Sequence, residues 1–159
     1  MSQLFPVQNA FIRATRRTHK PALAMGLLLA LVGCSGSAPT NLGVQDGRLA
    51  PCPSSPNCVN SQTGEGDQHI AALPLKGDQA QTQALLIKLL SSEPRVTLVE
   101  QNPDYLRAEF ASKLLGFVDD VEFLIGPQHV DVRSASRLGY ADFEVNRKRI
   151  EHLRQRMSE

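Results

Sequence analysis

The sequence predicts an α+β domain, an antiparallel β-sheet with two helices packed on one face, placed behind an export signal and a flexible tether. Three observations lead to this prediction. Segments with alternating apolar residues occur in pairs joined by turn residues, which is typical of β-hairpins. Two longer segments repeat apolar residues at steps of three and four, which is typical of amphipathic helices. The start of the chain combines a basic stretch, a short apolar run and a cysteine.

Residues 1–33 have the parts of a bacterial lipoprotein signal peptide. Up to residue 20 the chain carries four basic side chains and no acidic one, which is the positive flank that stays in the cytoplasm. The apolar run 21–32 falls short of the roughly 20 residues that span a bilayer. Leu31-Val32-Gly33-Cys34 then resembles the lipobox, in which the cysteine is acylated before cleavage. We expect a mature chain that begins at a lipid-carrying Cys34; the alternative is a buried helix that ends in an ordinary cysteine.

Ser35 occupies the position that governs sorting of lipoproteins in Gram-negative bacteria. An aspartate there indicates retention in the inner membrane, whereas serine resembles the outer-membrane class. The sequence therefore predicts a membrane partner through acyl chains such as palmitate, in the outer membrane, with the domain facing the periplasm.

Residues 34–50 are rich in Gly, Ser and Pro and predict a lipid-anchored tether, after which residues 51–159 form a single domain. Past the leader the chain has 13 basic and 16 acidic side chains, a formal charge of −3. A weakly acidic domain is poorly suited to bind phosphate backbones, so no nucleic-acid partner is expected.

The cysteines fit an exported protein. Cys34 accounts for the odd one of the three, which leaves Cys52 and Cys58. A disulfide is expected in an oxidising compartment. It would stabilise the fold by only about 2 kcal/mol because the loop is short and already stiffened by prolines. A metal-binding pair is the alternative, although no further ligands lie nearby in the sequence.

The folded part begins with a short strand and a helix. Residues 69–75 are predicted to form a short strand. Pro74 near its end has no N–H to donate to a neighbouring strand, which indicates an edge strand. Asp78 and Gln81 have the spacing of a capping box, which predicts that a helix begins after Asp78. Pro94 ends that helix. Its apolar face consists of Thr82, Leu85, Leu86, Leu89 and Leu90.

Two hairpins and a second helix follow. Residues 96–100 and 105–111 are predicted to pair with each other, as are residues 117–125 and 130–137. An amphipathic helix is predicted at residues 142–157. The order β-α-β-β-β-β-α predicts an antiparallel sheet with both helices on one face.

Alternation along the second hairpin assigns its side chains to two faces. Val121, Phe123 and Ile125 share the core face with Val130 and Val132, which restricts the register. The same alternation places Asp119, Ser134 and Ser136 on that inner face. On the outer face Asp120 and Glu122 are expected to form exposed cross-strand ion pairs with Arg133, each worth about 0–1 kcal/mol.

The last helix supplies the candidate site. Its apolar stripe includes one amide, Asn146, which must find partners if it is buried. The sequence groups this amide with polar residues at one end of the sheet: Asp119, Ser134, Ser136, Arg137, Asp142 and Arg149. Two interpretations stay open. The residues form either a satisfied polar network that pins the helix to the sheet, or a binding or catalytic pocket.

No catalytic motif accompanies these residues. No Gly-x-Ser-x-Gly elbow surrounds Ser134 or Ser136, and no histidine is placed for a triad. His69, His129 and His152 have no metal-binding spacing, and the mature chain has no glycine-rich phosphate loop. We therefore expect no metal or cofactor, assign no catalytic residue, and favour a role other than that of an enzyme.

Three motifs together resemble one family, the bacterial and plant group labelled domain of unknown function 1499. They are Cys52-Pro-Ser-Ser-Pro-Asn-Cys58, Phe117-Val-Asp-Asp-Val-Glu-Phe123, and Arg133-Ser-Ala-Ser-Arg-Leu-Gly-Tyr140 with Asp142-Phe-Glu-Val-Asn-Arg-Lys-Arg-Ile150. The resemblance spans about residues 49–154 and implies no established activity or substrate. One departure is Glu144, where the family pattern has glycine; this favours an ordinary helix start.

The sequence thus predicts an envelope lipoprotein whose domain is a binding or structural module. One alternative is an enzyme that acts on an envelope component through the polar end of the sheet. The other is an assembly partner of a membrane complex.

Overall fold

The computed structural model describes residues 36–159, so the predicted leader 1–33 and the lipid-carrying Cys34 lie outside the described residues. The elements in chain order are β1 (Val44–Gln45), β2 (Arg48–Leu49), β3 (Cys58–Asn60), β4 (Leu73–Pro74), α1 (Gln79–Ser92), β5 (Val96–Asn102), β6 (Tyr105–Ala111), β7 (Val118–Ile125), β8 (His129–Ser136) and α2 (Val145–Arg156). In this part of the chain, neither helix is long and apolar enough to cross a membrane.

The predicted α+β fold is confirmed. The main sheet is antiparallel in the order β3-β8-β7-β6-β5, and β4 pairs with the remaining part of β8. Helix α1 begins with the predicted capping box, in which the Asp78 carboxylate accepts from the Gln81 backbone and the Gln81 side chain accepts from the Asp78 backbone. The sequence pattern missed β3 and the small β1–β2 hairpin, which are only two or three residues long.

Both helices pack on the inner face of the sheet. Phe123 stands opposite Leu106 on one side and Val132 on the other, and all three are fully buried. Leu86 and Leu90 of α1 and Ile150 and Leu153 of α2 complete this core. Burying each such side chain stabilises the fold by about 1.5–3 kcal/mol, so this apolar layer is the main source of stability.

The outer face is also covered, by the segment 36–53, hereafter the cover segment. The Gly43 backbone N–H donates to Glu122 Oε1 at 2.8 Å, and β2 contacts both β7 and β8. Leu49 is buried in this layer. Residues 43–50, at the end of the predicted tether, therefore lie against the domain.

This cover corrects the prediction that the outer-face ion pairs are exposed. Glu122 is 0%, Asp120 1% and Arg133 3% exposed. The alternation of side chains along β7 and β8 shows that these residues face away from the apolar core. It cannot show that a segment distant in the sequence covers them. Their energetics are accordingly those of buried ions rather than of surface pairs.

The predicted Cys52–Cys58 disulfide is present, with a Cα–Cα distance of 5.7 Å. Cys58 belongs to β3, next to Ala135 of β8, whereas Cys52 lies in the cover segment. The bridge therefore joins the end of the cover segment to the edge of the sheet.

The prediction of an ordinary helix start at Glu144 is wrong. Glu144 caps α2 with a left-handed backbone, φ 65°, and its side chain makes no capping hydrogen bond. Phe143 before it has φ 54°. Since a Cβ is disfavoured in this conformation, the glycine of the family pattern would suit the position, and this chain carries glutamate there at a cost in strain.

Candidate functional site: two polar clusters on opposite faces of the sheet

The structure brings six of the predicted site residues together at one end of the inner face. These residues form the Asn146 cluster: Asp119, Ser134, Ser136, Asp142, Asn146 and Arg149. Strands β7 and β8 supply the first three, and α2 with the turn before it supplies the others. The alternation of the strands and the position of Asn146 on the helix were sufficient to predict this grouping.

Asn146 is the centre of the cluster and is completely buried. Its Nδ2 donates to the Asn57 carbonyl oxygen at 3.0 Å, to Ser136 Oγ at 3.1 Å and to Asp142 Oδ2 at 2.8 Å. Its Oδ1 accepts from Ser134 Oγ at 2.6 Å. The amide thus connects β8, the loop before β3 and the start of α2.

Arg149 closes the cluster on its solvent side. One amino group donates to Ser134 Oγ at 3.0 Å and to Asn146 Oδ1 at 2.6 Å, and the other forms a 2.5 Å ion pair with Asp119. The guanidinium lies 4.6 Å from the centre of the Phe110 ring, within the range of a cation–π contact. Each charged or amide group here is held by the others.

Arg137, the seventh predicted residue, lies on the other face. Its neighbour Ser136 points inward, and because side chains alternate along a strand Arg137 points outward. Its Nε donates to Asp120 Oδ2 at 2.7 Å, and it also pairs with Glu109. The carboxylate of Asp120, followed by that of Glu109, raises the pKa of Arg137 above its ordinary value, so it is a permanent cation.

A second polar group lies under the cover segment and was not predicted as a site. This Glu122 network consists of Tyr105, Arg107, Glu109, Asp120, Glu122, Arg133 and Arg137. Glu122 Oε2 accepts from Arg133 at 3.0 Å, and its Oε1 accepts from the Tyr105 hydroxyl at 2.8 Å in addition to Gly43. Asp120 lies between Arg107 and Arg137.

Tyr105 stays protonated within this network. Burial, together with the Glu122 carboxylate, raises the pKa of its hydroxyl far above the ordinary value of 10.0.

One polar atom of the network has no partner: among residues 36–159, Arg133 Nε is the only buried side-chain nitrogen or oxygen without a hydrogen bond. A clue in the sequence was that β6, β7 and β8 all carry charges at outward positions, which is more than isolated surface pairs require.

A shallow groove adjoins the Asn146 cluster. It has a volume of about 370 Å³ and is lined by the α1–β5 loop, the end of β6, β7 and α2, with Phe110, Ser112, Asp119, Val145 and Arg149 among the lining residues. Asp119 and Arg149 reach its wall already paired with each other. The groove is therefore an open depression beside a satisfied ion pair.

A family model described as "Protein of unknown function (DUF1499)" matches residues 48–157. The match covers β2 through α2 and so includes both polar clusters and the disulfide. Neither the curated proteins nor the solved structures compared with the chain contain a match.

Proposed function

The chain belongs to the DUF1499 family of proteins of unknown function, and on that premise we propose that it is an envelope lipoprotein whose mature domain serves as a binding or structural module. The proposed anchor is an acylated Cys34 in the outer membrane, and the domain faces the periplasm. The observation that carries the proposal is the succession of a basic flank, the apolar run 21–32 and the Leu31–Cys34 motif.

The position of Gly36 supports this arrangement. Its carbonyl oxygen accepts a hydrogen bond from Arg137 at 3.4 Å, and a Cβ built on it would lie 3.2 Å from Leu138 Cγ. The folded domain therefore begins two residues after the proposed lipid attachment site. A domain this close to its anchor is suited to work at the membrane surface.

The disulfide between Cys52 and Cys58 also supports the proposal, because such bonds persist in oxidising compartments such as the periplasm. It holds the cover segment, which leads from the anchor, to the edge of the sheet.

The bonding within the Asn146 cluster favours a module over an enzyme. The polar groups of Asn146, Ser134 and Arg149 are engaged with one another, which is what a network that fixes a helix to a sheet requires. A catalytic group needs a free acceptor, donor or nucleophile directed at substrate.

Replacing the proposed attachment site tests the anchor. Cys34→Ser removes the thiol that is acylated, and since acylation precedes cleavage we expect an uncleaved precursor without lipid. A clickable fatty acid fed to expressing cells measures the modification, and membrane fractionation on a density gradient measures the location.

Cys58→Ser is the matched control, because it removes a cysteine of the disulfide and leaves Cys34 in place. It should incorporate the label as the wild type does and enter the outer-membrane fraction. Equal labelling of Cys34→Ser and the wild type would contradict the lipoprotein proposal.

A further inference from the structure

We propose that two loops at one end of the sheet form a membrane-contacting surface beside the anchor, and that their apolar side chains enter the lipid interface. The proposal rests on the acylated Cys34 proposed above. The apolar end, as we name this surface, consists of residues 114–117 between β6 and β7, residues 138–144 between β8 and α2, and Val145, the first residue of α2.

The first argument is the distribution of exposed apolar side chains. Of the nine large hydrophobic residues exposed within residues 36–159, seven lie in the apolar end. The four most exposed are Leu114 at 90%, Phe143 at 87%, Tyr140 at 77% and Leu115 at 63%. Single exposed apolar residues are normal on a protein surface, but their concentration at one end marks an interaction site.

The two loops lie side by side. Ala111 at the end of β6 pairs with Val118 of β7, and Asp119 pairs with Ser136 at the end of β8, so both loops leave the same end of the sheet. Ser112 and Val145 line one groove. The exposed apolar residues of both loops are therefore presented at one end of the sheet.

Part of the apolar end has a strained backbone. Phe143 and Glu144 are consecutive non-glycine residues in the left-handed region, with φ 54° and 65°. No buried contact of the Phe143 side chain compensates for the strain, because that side chain is almost fully exposed. Strained backbone concentrates where a protein presents groups to a partner, and here it presents a phenyl ring.

The anchor identifies the partner as a lipid surface. Gly36 accepts a hydrogen bond from Arg137 and is so near Leu138 that a Cβ at position 36 would lie 3.2 Å from Leu138 Cγ, within the apolar end. Cys34 is two residues earlier, and two residues span at most about 7 Å. The acyl chains therefore enter the bilayer next to Leu138, and the neighbouring side chains are within reach of the same bilayer.

The chemistry of the apolar end suits this partner. Leucine and phenylalanine partition into the acyl boundary, and tyrosine favours the level of the headgroups. Lys113 is exposed directly beside Leu114 and can meet an anionic headgroup. The domain would then lie on the membrane and be held by protein contacts in addition to its lipid.

Tryptophan fluorescence offers a clean test, because the chain contains no tryptophan. Leu114→Trp and Phe143→Trp each place a reporter in the apolar end, and Gln128→Trp places one in the exposed β7–β8 turn at the opposite end. Each full-length chain is isolated from fatty-acid-fed cells and reconstituted into vesicles of phosphatidylethanolamine and phosphatidylglycerol, with or without brominated acyl chains.

We expect the emission of both apolar-end reporters to shift to shorter wavelength and to be quenched by brominated lipid, while Gln128→Trp is unaffected. Labelled chains without quenching would overturn the membrane surface and leave the anchor intact. Unlabelled chains that are still quenched on added vesicles would support the surface and reject the anchor. A blue shift without bromine quenching would overturn the proposal in favour of a protein partner or a second copy.

Discussion

The two faces of the central sheet hold their buried groups by different means. The inner face packs Leu106, Phe123 and Val132 against two helices, and its polar end is held by the hydrogen bonds of Asn146 and by the Asp119–Arg149 ion pair. The outer face carries Asp120, Glu122 and Arg133, which are just as buried under a segment with little regular structure. An apolar side chain that loses a neighbour stays uncharged, whereas a buried ion that loses its partner leaves an uncompensated charge in the interior.

We therefore expect single substitutions on the outer face to lower the stability of the fold more than those in the polar cluster of the inner face. Removing one partner of a buried ion pair leaves an uncompensated charge, but replacing both partners by apolar groups is often nearly neutral. On the inner face, replacing a polar residue by an apolar one removes hydrogen bonds, but the interface between the helix and the sheet stays mostly apolar. Substitutions on the two faces should therefore differ in how much stability they remove.

Glu122→Met should have the largest effect. It leaves Arg133 buried beside an apolar side chain, and Tyr105 and Gly43 lose their acceptor. We expect the free energy of unfolding to fall by about 3–5 kcal/mol, measured by urea denaturation.

The double variant Glu122→Met with Arg133→Met is its control. Because it removes both charges, it should lose less stability than the single variant, although Tyr105 and Gly43 lose their acceptor in both. If the double variant is the less stable of the two, the stranded-charge explanation of the outer face is wrong.

Asn146→Ala removes the centre of the inner cluster. It leaves Ser134, Ser136 and Asp142 without their amide partner, and we expect a loss of about 1–3 kcal/mol in urea unfolding. Asn102→Ala, which truncates an exposed amide of β5, is the matched control and should unfold near the wild-type midpoint. An unchanged midpoint for Asn146→Ala, together with failure to complement a deletion strain, would make this end a working site instead.

Tyr105→Phe tests the protonation of the outer network. The folded-state pKa is raised above the ordinary 10.0, so the stabilisation by this hydroxyl is complete below pH 10 and decreases at higher pH, where the unfolded tyrosine ionises. Loss of the hydrogen bond to Glu122 should cost about 1.5 kcal/mol at neutral pH.

The variant should also lose the part of the alkaline decrease that Tyr105 causes. Thermal unfolding from neutral pH to pH 11 measures both effects. Tyr140→Phe, at an exposed tyrosine, should reproduce the wild-type profile. Identical alkaline profiles for Tyr105→Phe and the wild type would remove Tyr105 as a cause.

Glu144→Gly should stabilise the protein by about 1 kcal/mol, because glycine adopts φ 65° without a steric penalty. Glu144→Ala keeps the Cβ and removes the charge, so it should give no gain. The melting temperatures of the two variants compare them. A similar gain in both would attribute the effect to charge and not to the backbone.

Most features of the inner face and its helices could be predicted from local patterns in the sequence. The capping box at Asp78, the two long hairpins and the grouping around Asn146 each depend on spacing that a helix or a strand imposes. Arg137 was misplaced because grouping by nearness to the strand end ignored the alternation that directs it outward.

The outer half could not be predicted in the same way. The burial of Glu122 depends on Gly43, a residue 79 positions earlier in a segment whose composition is that of a linker. The left-handed backbone at Glu144 has no signal in this sequence, since the position carries glutamate and not the glycine that such a backbone favours. Long-range cover and local strain are both invisible to periodicity.

If the chain is exported as we propose, the position of the cover segment bears on the order in which the protein is processed and folds. In the proposed lipoprotein it would be the first part of the mature chain, yet it contacts β7 and β8, and the Gly36–Arg137 contact joins residues 101 positions apart. Such non-local contacts form late, after the loop between them has closed. On the lipoprotein proposal, the segment nearest the anchor would have no strand to pair with until β7 and β8 have crossed the membrane, and it would stay accessible to the enzymes that acylate and cleave it. Completion of the sheet then withdraws that segment, so folding itself would set the end of the processing window.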